Sequence, residues 1–414
     1  VQLVEDDGVD LSPYDTVCVI FPYTTNIPFA GLAALNGSRL WLNGNTSDRV
    51  VTHELGHNYG SSHASSWVAT DSNPADPSGY LVEYGNFTDI MGSGSLPAGH
   101  FNCWHKNHIG WHGSSNTPFV ATSGTYRIYR SDHYQTSGTV RGLEIDQNST
   151  NQYWVGFRQE FPEYESYSRG AYVLWKKTGT NRSFLLDMSP QSAAGGYDGG
   201  LALGQTYSDS PHGVHITPVA RGGQTPNEWM DITVNLGTFP GNSAPSGSLS
   251  GPAQLAVQER ALFSVSASDI DGDDLAYYWD IGDGLVKPNT PVISAAWLSG
   301  GTHTVRCVIS DMKGGTNLVV HTVVISSPLE NWTQRTSGTT KDLNDIAVGN
   351  GRLVAVGNNG TTALSDDGSN WTVHTSADVW LGNVYMEGVV PVSYTHLTLP
   401  TIILPCRCRG AAEH

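Results

Sequence analysis

The stretch Thr52–His63, which reads THELGHNYGSSH, decides how this chain is interpreted. His53 and His57 stand four residues apart, and a helix places side chains at this separation on one face. The surrounding pattern predicts a helix over Asp48–Tyr59, and Gly60 ends it, since glycine most easily adopts the left-handed conformation. Two imidazoles therefore face one side of a helix that stops soon after them.

A third histidine and one carboxylate complete this group. The sharp stop at Gly60 allows His63 to return, so that three neutral imidazoles can hold one ion and leave a coordination position open, as in catalytic zinc sites. Glu54 is turned about 100° away from His53 around the helix, so it addresses a water molecule rather than the ion. Zinc lowers the pKa of bound water toward ~7, and Glu54 is the predicted general base for attack on a carbonyl. His53, His57 and His63 are the predicted ligands.

The motif HELGHNYGSSH resembles the extended HExxHxxGxxH motif of the metzincin peptidases. Asp89-Ile90-Met91-Gly92 resembles the Met-turn of that group, with Met91 as the residue beneath the metal. Three segments are similar to parts of the gametolysin/autolysin family: GSRLWLNG (37–44), NFTDIMG (86–92) and FNCWHKNHIGW (101–111). The resemblance covers about residues 10–115 and implies a zinc-dependent endopeptidase with an α+β catalytic domain and Glu54 as its general base.

The same resemblance implies a substrate-binding strand and leaves the oxyanion partner open. Metzincins bind a peptide antiparallel to an edge strand. The residues expected in that role are Arg39, Leu40, Trp41 and Leu42, which makes recognition largely main-chain pairing. Some metzincins carry a tyrosine two residues after the Met-turn methionine, where this chain has Ser93. Backbone groups, another residue or zinc alone would then stabilise the oxyanion.

Three further histidines, His100, His105 and His108, follow the Met-turn segment near Trp104 and Trp111. A second metal site and ordinary packing are both compatible with this group. Packing is favoured, because no carboxylate accompanies the histidines at a suitable spacing.

The bulk composition limits the classes of function. A chain of 414 residues is too long for one ordinary core, and two to four domains are expected. Only 14% of residues are charged and 47 are glycine, which is typical of β-rich proteins. The net charge of −17 argues against nucleic acid and anionic membranes as partners, and it suits a secreted or calcium-binding protein as well as a merely soluble one. No apolar run reaches the ~18–20 residues of a membrane span.

Five cysteines do not make a disulfide framework in a chain of this length. Cys18 and Cys103 are the pair that could join within the first domain. Cys307 is predicted to be a buried free thiol.

The order of strands, turns and linkers predicts a multidomain chain: an α+β metzincin-like catalytic domain, then all-β sandwich domains and an incomplete β-propeller-like repeat. The predicted boundaries are 1–115 for the zinc protease domain, expected to lack its N-terminal part, 118–238 for a β-sandwich accessory domain, 244–326 for a PKD/immunoglobulin-like domain, 331–388 for a partial propeller-like repeat and 389–414 for a non-native tail.

The third domain carries a resemblance and a second candidate ion site. Tyr277–Gly284 (YYWDIGDG) with His303–Asp311 (HTVRCVISD) resembles a PKD domain, an immunoglobulin-like sandwich common in secreted bacterial hydrolases. Just before it, Asp269, Asp271 and Asp273 offer oxygen ligands for Ca²⁺, and a solvated acidic turn accounts for them equally well.

The end of the chain predicts a repeat followed by foreign sequence. Trp332-Thr333 recurs as Trp371-Thr372, 39 residues later, a period that fits one four-stranded propeller blade. Ser365–Gly368 resembles an Asp-box turn. One blade cannot close a propeller, so the natural protein is expected to continue past residue 388. The string VSYTHLTLPT (Val392–Thr401) resembles translated sequencing-adapter sequence.

The sequence therefore predicts a secreted, bacterial-type zinc metalloendopeptidase with Zn²⁺ as its metal and Ca²⁺ as a candidate second ion. Its expected partners are proteins or peptides, with cell-wall or extracellular-matrix glycoproteins suggested by the family resemblance, and neither nucleic acid nor a membrane span is expected. The alternative is an adhesive or binding protein whose metzincin-like domain is inactive.

Overall fold

The computed structural model describes residues 8, 10–94, 99–159, 164–326, 334–349 and 351–375. They belong to two compact units, Val1–Ser327 and Pro328–His414. Strands predominate and helices are short, as the composition predicts for a multidomain, mostly β chain. Within the described ranges, no helix combines the length and the apolar character that crossing a bilayer requires.

The chain begins with a small sheet backed by a helix. Its elements are β1 (Val17–Phe21), β2 (Gly31–Ala33), β3 (Arg39–Asn43) and α1 (Asp48–Asn58). The strand order is β1-β3-β2, with β1 parallel and β2 antiparallel to β3. Leu40 and Leu42 pack against Val50 of α1, which joins the helix to the sheet. The predicted helix is confirmed, and Gly60 just beyond it has a φ of 97°.

The middle of the chain is built from two sheets and two short helices. Its elements are β4 (Ser65–Val68), β5 (Tyr80–Val82), α2 (Cys103–His108), β6 (Gly124–Tyr129), β7 (Gly142–Asp146), β8 (Asn151–Gly156), α3 (Glu165–Arg169), β9 (Tyr172–Lys177), β10 (Phe184–Leu186), β11 (Tyr207–Asp209), a 3-10 turn (Ser210–His212), β12 (Val214–Gly222) and β13 (Trp229–Leu236). One sheet has the order β5-β4-β10-β9-β8-β7, and the other has the order β11-β12-β13-β6.

The six-stranded sheet crosses the boundary predicted between residues 115 and 118. β4 comes from the N-terminal side of that boundary and pairs in parallel with β10 from the other side. Trp67 of β4 is buried in the same core as Trp175 and Phe184, with ring centroids 5.2 and 5.8 Å away. The loop that carries the third histidine of the motif therefore leads directly into a sheet completed by later strands.

The next region is a two-sheet sandwich. Its strands are β14 (Ser246–Ser250), β15 (Gln254–Ala256), β16 (Ala261–Ser268), β17 (Ala276–Asp280), β18 (Val292–Ala295), β19 (Gly301–Ser310) and β20 (Thr316–Ser326). They form sheets of order β14-β16-β18 and β15-β20-β19-β17 around Phe263 and Trp279. Cys307 is a buried free thiol, as predicted, whereas Cys18 and Cys103 are both free and form no disulfide with each other.

The second unit contains four consecutive strands in its described part. They are β21 (Leu343–Gly349), β22 (Arg352–Gly357), β23 (Thr361–Ser365) and β24 (Thr372–Thr375), and each pairs antiparallel with the next. In the turn after β23, the Asp367 carboxylate accepts the backbone N–H groups of Ser369 and Asn370 at 2.8 Å. The propeller remains a prediction. Trp332 and the tail 389–414 lie outside the described residues.

Candidate metal centre

The structure brings His53, His57 and His63 together. One ring nitrogen from each lies within 4.8 Å of the others, close enough for all three to hold one ion. His53 and His57 project from the same face of α1, and the turn at Gly60 returns His63 to them, as the spacing of the motif predicts. Within the described ranges, this is the one group of three or more His, Cys, Asp or Glu side chains that converge in this way.

Each of the three imidazoles is oriented by an oxygen atom. His53 Nδ1 donates to the Ile90 carbonyl and His57 Nδ1 to the Ser61 carbonyl, each at 2.8 Å. His63 Nδ1 donates to Glu83 Oε1 at 2.8 Å. Because these oxygens only accept, the proton of each neutral ring lies on Nδ1, and the Nε2 lone pair remains for a metal.

The protonation of the group suits a metal site. Burial lowers the pKa of His53 to about 4 and also lowers the pKa of His57, so both rings are neutral at neutral pH. Three imidazoles with fixed tautomers match the donor set that Zn²⁺ prefers in catalytic sites. The residues present therefore fit zinc.

Glu54 lies beside this group on α1 and is almost completely buried, with 6% of its surface exposed. Burial raises its pKa to about 7, although a divalent cation nearby would lower it again. Gly31 of β2 makes room for it, because a Cβ atom at Gly31 would lie 2.6 Å from Glu54 Cγ and Oε1. The carboxyl group is thus confined between the helix and β2.

The Met-turn segment lies beneath α1. Met91 is fully buried, and a Cβ atom at Gly56 would lie 2.3 Å from its sulfur, so the methionine touches the helix between the two histidines. Asp89 Oδ1 accepts the N–H of Met91 at 2.8 Å, which fixes the turn. The carbonyl of Ile90 then meets His53, so the turn orients a ring of the triad as well as filling the space below it.

Two family models match parts of this chain. Residues 11–174 match the family model of gametolysin peptidase M11, and residues 247–324 match the model of the PKD domain. The chain carries an M11 peptidase domain followed by a PKD domain. The M11 family implies a metallopeptidase, and the match extends from the small N-terminal sheet into β9.

Two solved structures are similar to part of this chain. The PKD domain of an M14-like peptidase from a Thermoplasmatales archaeon is 22% identical, covering 20% of this chain and 94% of that one with a TM-score of 0.18. The PKD1 domain of Vibrio anguillarum Epp is 25% identical, covering 21% of this chain and 99% of that one with a TM-score of 0.19.

The prediction of the substrate-binding edge strand is wrong. Arg39, Leu40, Trp41 and Leu42 belong to β3, which is paired on both sides and is therefore central in its sheet. Leu40 and Leu42 are each only 1% exposed. Among the described residues, β2 is the strand beside α1 that is paired on one side only, and it is the strand that touches Glu54.

The histidines after the Met-turn are packed rather than grouped around a second metal. His105 Nδ1 lies 3.1 Å from Asp89 Oδ2, and both side chains are fully buried. His108 Nε2 lies 3.1 Å from the Gly60 carbonyl. Burial would raise the pKa of Asp89, but His105 and Arg158 outweigh it and hold that pKa below its usual value. These contacts brace the Met-turn and the end of α1.

Two neighbours of the triad, Glu83 and Tyr84, could not be found from the sequence. The Tyr84 ring centroid lies 3.8 Å from that of His63 and 5.9 Å from that of His53. Tyr84 has a φ of 60°, a conformation uncommon for a residue with a side chain. The hydrogen bond from His63 holds the pKa of Glu83 below its usual range. No motif marks these residues, since only the turn after β5 brings them to the site.

The acidic cluster predicted to bind calcium has other partners. Asp269 Oδ1 accepts the N–H of Asp271 at 2.9 Å, and Asp271 Oδ2 accepts the N–H of Ser243 at 2.7 Å. Asp273 forms an ion pair with Lys313. The three carboxylates do not converge, so the calcium site remains a prediction without structural support.

Proposed function

We propose that this chain is a secreted zinc-dependent endopeptidase that hydrolyses peptide bonds of extracellular or cell-wall proteins. The observation that carries the proposal is the convergence of His53, His57 and His63, each with Nδ1 bonded to an oxygen, beside the buried Glu54. The M11 and PKD matches support the extracellular setting, since both kinds of domain are typical of secreted proteins.

Glu54 is the proposed general base. Zinc held by the three histidines would supply Lewis acidity for attack of water on a carbonyl. Glu54 takes a proton from the attacking water and passes it to the amine that leaves when the peptide bond breaks. Its position between α1 and Gly31 limits its rotation, which keeps the carboxylate directed at the reacting atoms.

The substrate would lie along β2. One side of this strand pairs antiparallel with β3, and its other side is available to main-chain groups of a peptide. Because β2 touches Glu54 through Gly31, a peptide added to this strand passes directly over the base. Because Gly31 has no side chain, the backbone of β2, the backbone of the bound peptide and the Glu54 carboxylate can approach one another.

Tyr84 is the proposed donor to the carbonyl oxygen of the substrate. Its ring packs against that of His63, with centroids 3.8 Å apart and planes tilted by 35°, which brings the phenol close to the triad. Burial and the nearby carboxylates of Glu83 and Glu54 raise the pKa of Tyr84, so its hydroxyl keeps the proton that it would donate. This role would compensate for Ser93, which stands where some metzincins have a tyrosine.

Replacing Glu54 with Gln tests the central claim. The variant should lose proteolysis of casein by about 10²–10⁴-fold, because the amide accepts no proton. Zinc content, measured by atomic absorption, should remain stoichiometric, since Glu54 is not a ligand. Glu165→Gln is a matched control, because it removes a carboxylate paired with Arg169 away from the triad and should leave activity unchanged.

Two results would contradict the proposal. Unchanged hydrolysis by Glu54→Gln would remove Glu54 from the mechanism. A wild-type protein that holds zinc yet cleaves no member of a diverse peptide library would favour the inactive adhesive protein instead.

A further inference from the structure

The side chain of His63 is oriented by a different kind of chemical group from the one that orients His53 and His57. His53 and His57 donate to backbone carbonyls, whereas His63 donates to the carboxylate of Glu83 at 2.8 Å. The same carboxylate oxygen lies 3.0 Å from NH2 of Arg182, in the connection between β9 and β10. An ion pair and a hydrogen bond therefore link Arg182 through Glu83 to the imidazole of His63.

Backbone pairing fixes the positions of Arg182 and Glu83. Ser65, which begins β4 two residues after His63, donates its N–H to the carbonyl of Ser183 at 3.1 Å. Arg182 is adjacent to Ser183, so the pairing of β4 with β10 brings its guanidinium beside the metal site. A Cβ atom at Gly85 would lie 2.2 Å from Ser66 Oγ, so the turn that carries Glu83 lies directly against β4.

We propose that Glu83, held by Arg182, is a positioning residue that orients His63 for zinc and strengthens it as a ligand; this rests on the proposed zinc site. A carboxylate that accepts the Nδ1 proton fixes the tautomer and increases the electron density available at Nε2. The Arg182 guanidinium, 3.0 Å from the same oxygen, holds the carboxylate in place. The tilted Tyr84 ring, whose centroid lies 3.8 Å from that of His63, also restrains the imidazole.

The consequence is that the affinity for zinc depends on Arg182, which lies 119 residues after His63 in the chain. Carboxylate partners of metal-binding histidines typically contribute about 10-fold to 100-fold to metal affinity. Glu83 is 45% exposed, so we expect a value near the lower end of that range.

The test uses the full chain and zinc itself. The Kd for zinc is measured by competition with a chromophoric chelator, and the Co²⁺ form is examined by visible absorption, which reports ligand geometry. Glu83→Gln should weaken zinc binding about 10-fold and shift the Co²⁺ bands. Arg182→Gln should weaken binding by a smaller factor, and Glu83→Asp should bind more tightly than Glu83→Gln.

Glu165→Gln is the matched control, because it also removes a partly exposed Glu–Arg pair, and its zinc affinity should equal that of the wild type. A Kd within twofold of the wild type and an unchanged Co²⁺ spectrum for Glu83→Gln would overturn the proposal. If Glu83→Gln does not fold, unchanged zinc affinity in Arg182→Gln overturns it. Failure of the wild type to bind zinc would instead reject the proposed function.

Discussion

Tyr80 and Tyr84 lie four positions apart in the chain and have different surroundings. The Tyr84 ring packs against His63, whereas Tyr80 lies in β5 and is 57% exposed. Tyr84→Phe removes only the hydroxyl and preserves the aromatic ring. We therefore expect kcat on a peptide substrate to fall about 10-fold to 100-fold with KM nearly unchanged, because the lost hydrogen bond forms in the transition state.

Tyr80→Phe is the matched control and should retain wild-type kcat and KM. A Tyr84→Phe variant with full kcat would exclude the phenol from catalysis and leave backbone groups or zinc alone to stabilise the oxyanion. An increase in KM alone would assign Tyr84 to substrate binding.

Local spacing predicts residues whose partners are local. The proposed ligands follow from the positions of His53 and His57 on one helix and from the turn at Gly60. Glu83 and Arg158 could not be found in this way, because their contacts depend on strands that meet far apart in sequence. Arg158, for example, donates to the carbonyl of Thr88 at 2.7 Å, across 70 residues.

Within β2, Gly31 is the position most sensitive to an added methyl group. Gly31→Ala would place a Cβ atom 2.6 Å from Glu54 Cγ, and the carboxylate would have to move. The backbone at Gly31 is not in the left-handed region, so the expected effect is steric. We expect kcat/KM to fall about 100-fold, since a shift near 1 Å in a catalytic group can cost that much.

The corresponding control is Gly124→Ala at the start of β6, where the new methyl group meets ordinary contacts of 3.7 Å or more. Stoichiometric zinc in Gly31→Ala would show that the triad survives the change. Full activity in this variant would argue against confinement of Glu54 by β2.

The contrast between β2 and β3 explains why the sequence predicts the wrong edge strand. Alternating exposed and apolar residues in GSRLWLN indicate a strand, and that strand exists as β3. Alternation does not reveal how many neighbours a strand has, because pairing involves backbone groups. β2 has three residues, too few for a periodic signal, so its position beside Glu54 becomes visible only in the sheet.

Over the whole molecule, turn-rich segments predict where strands end better than where domains end. The sequence between 113 and 118 has the composition of a linker, yet strands on both sides of it form one sheet. The parallel pairing of β4 with β10 joins segments more than 100 residues apart, and no local pattern encodes it. The PKD domain is easier to predict from the sequence than the preceding sheets, because its sandwich is built from consecutive residues.

This shared sheet predicts how the protein responds to truncation. A chain that ends at residue 115 loses β10, the partner of β4, and exposes Trp67, which otherwise packs on Trp175 and Phe184. It also loses Arg182. We expect this fragment to lack a cooperative thermal transition and stoichiometric zinc.

A chain that ends at residue 242 keeps both sheets and should retain zinc and peptidase activity. Circular dichroism melting and zinc analysis of the two fragments distinguish these cases. A folded, zinc-loaded fragment 1–115 would show that the small sheet and α1 form an independent domain, as the predicted boundary requires.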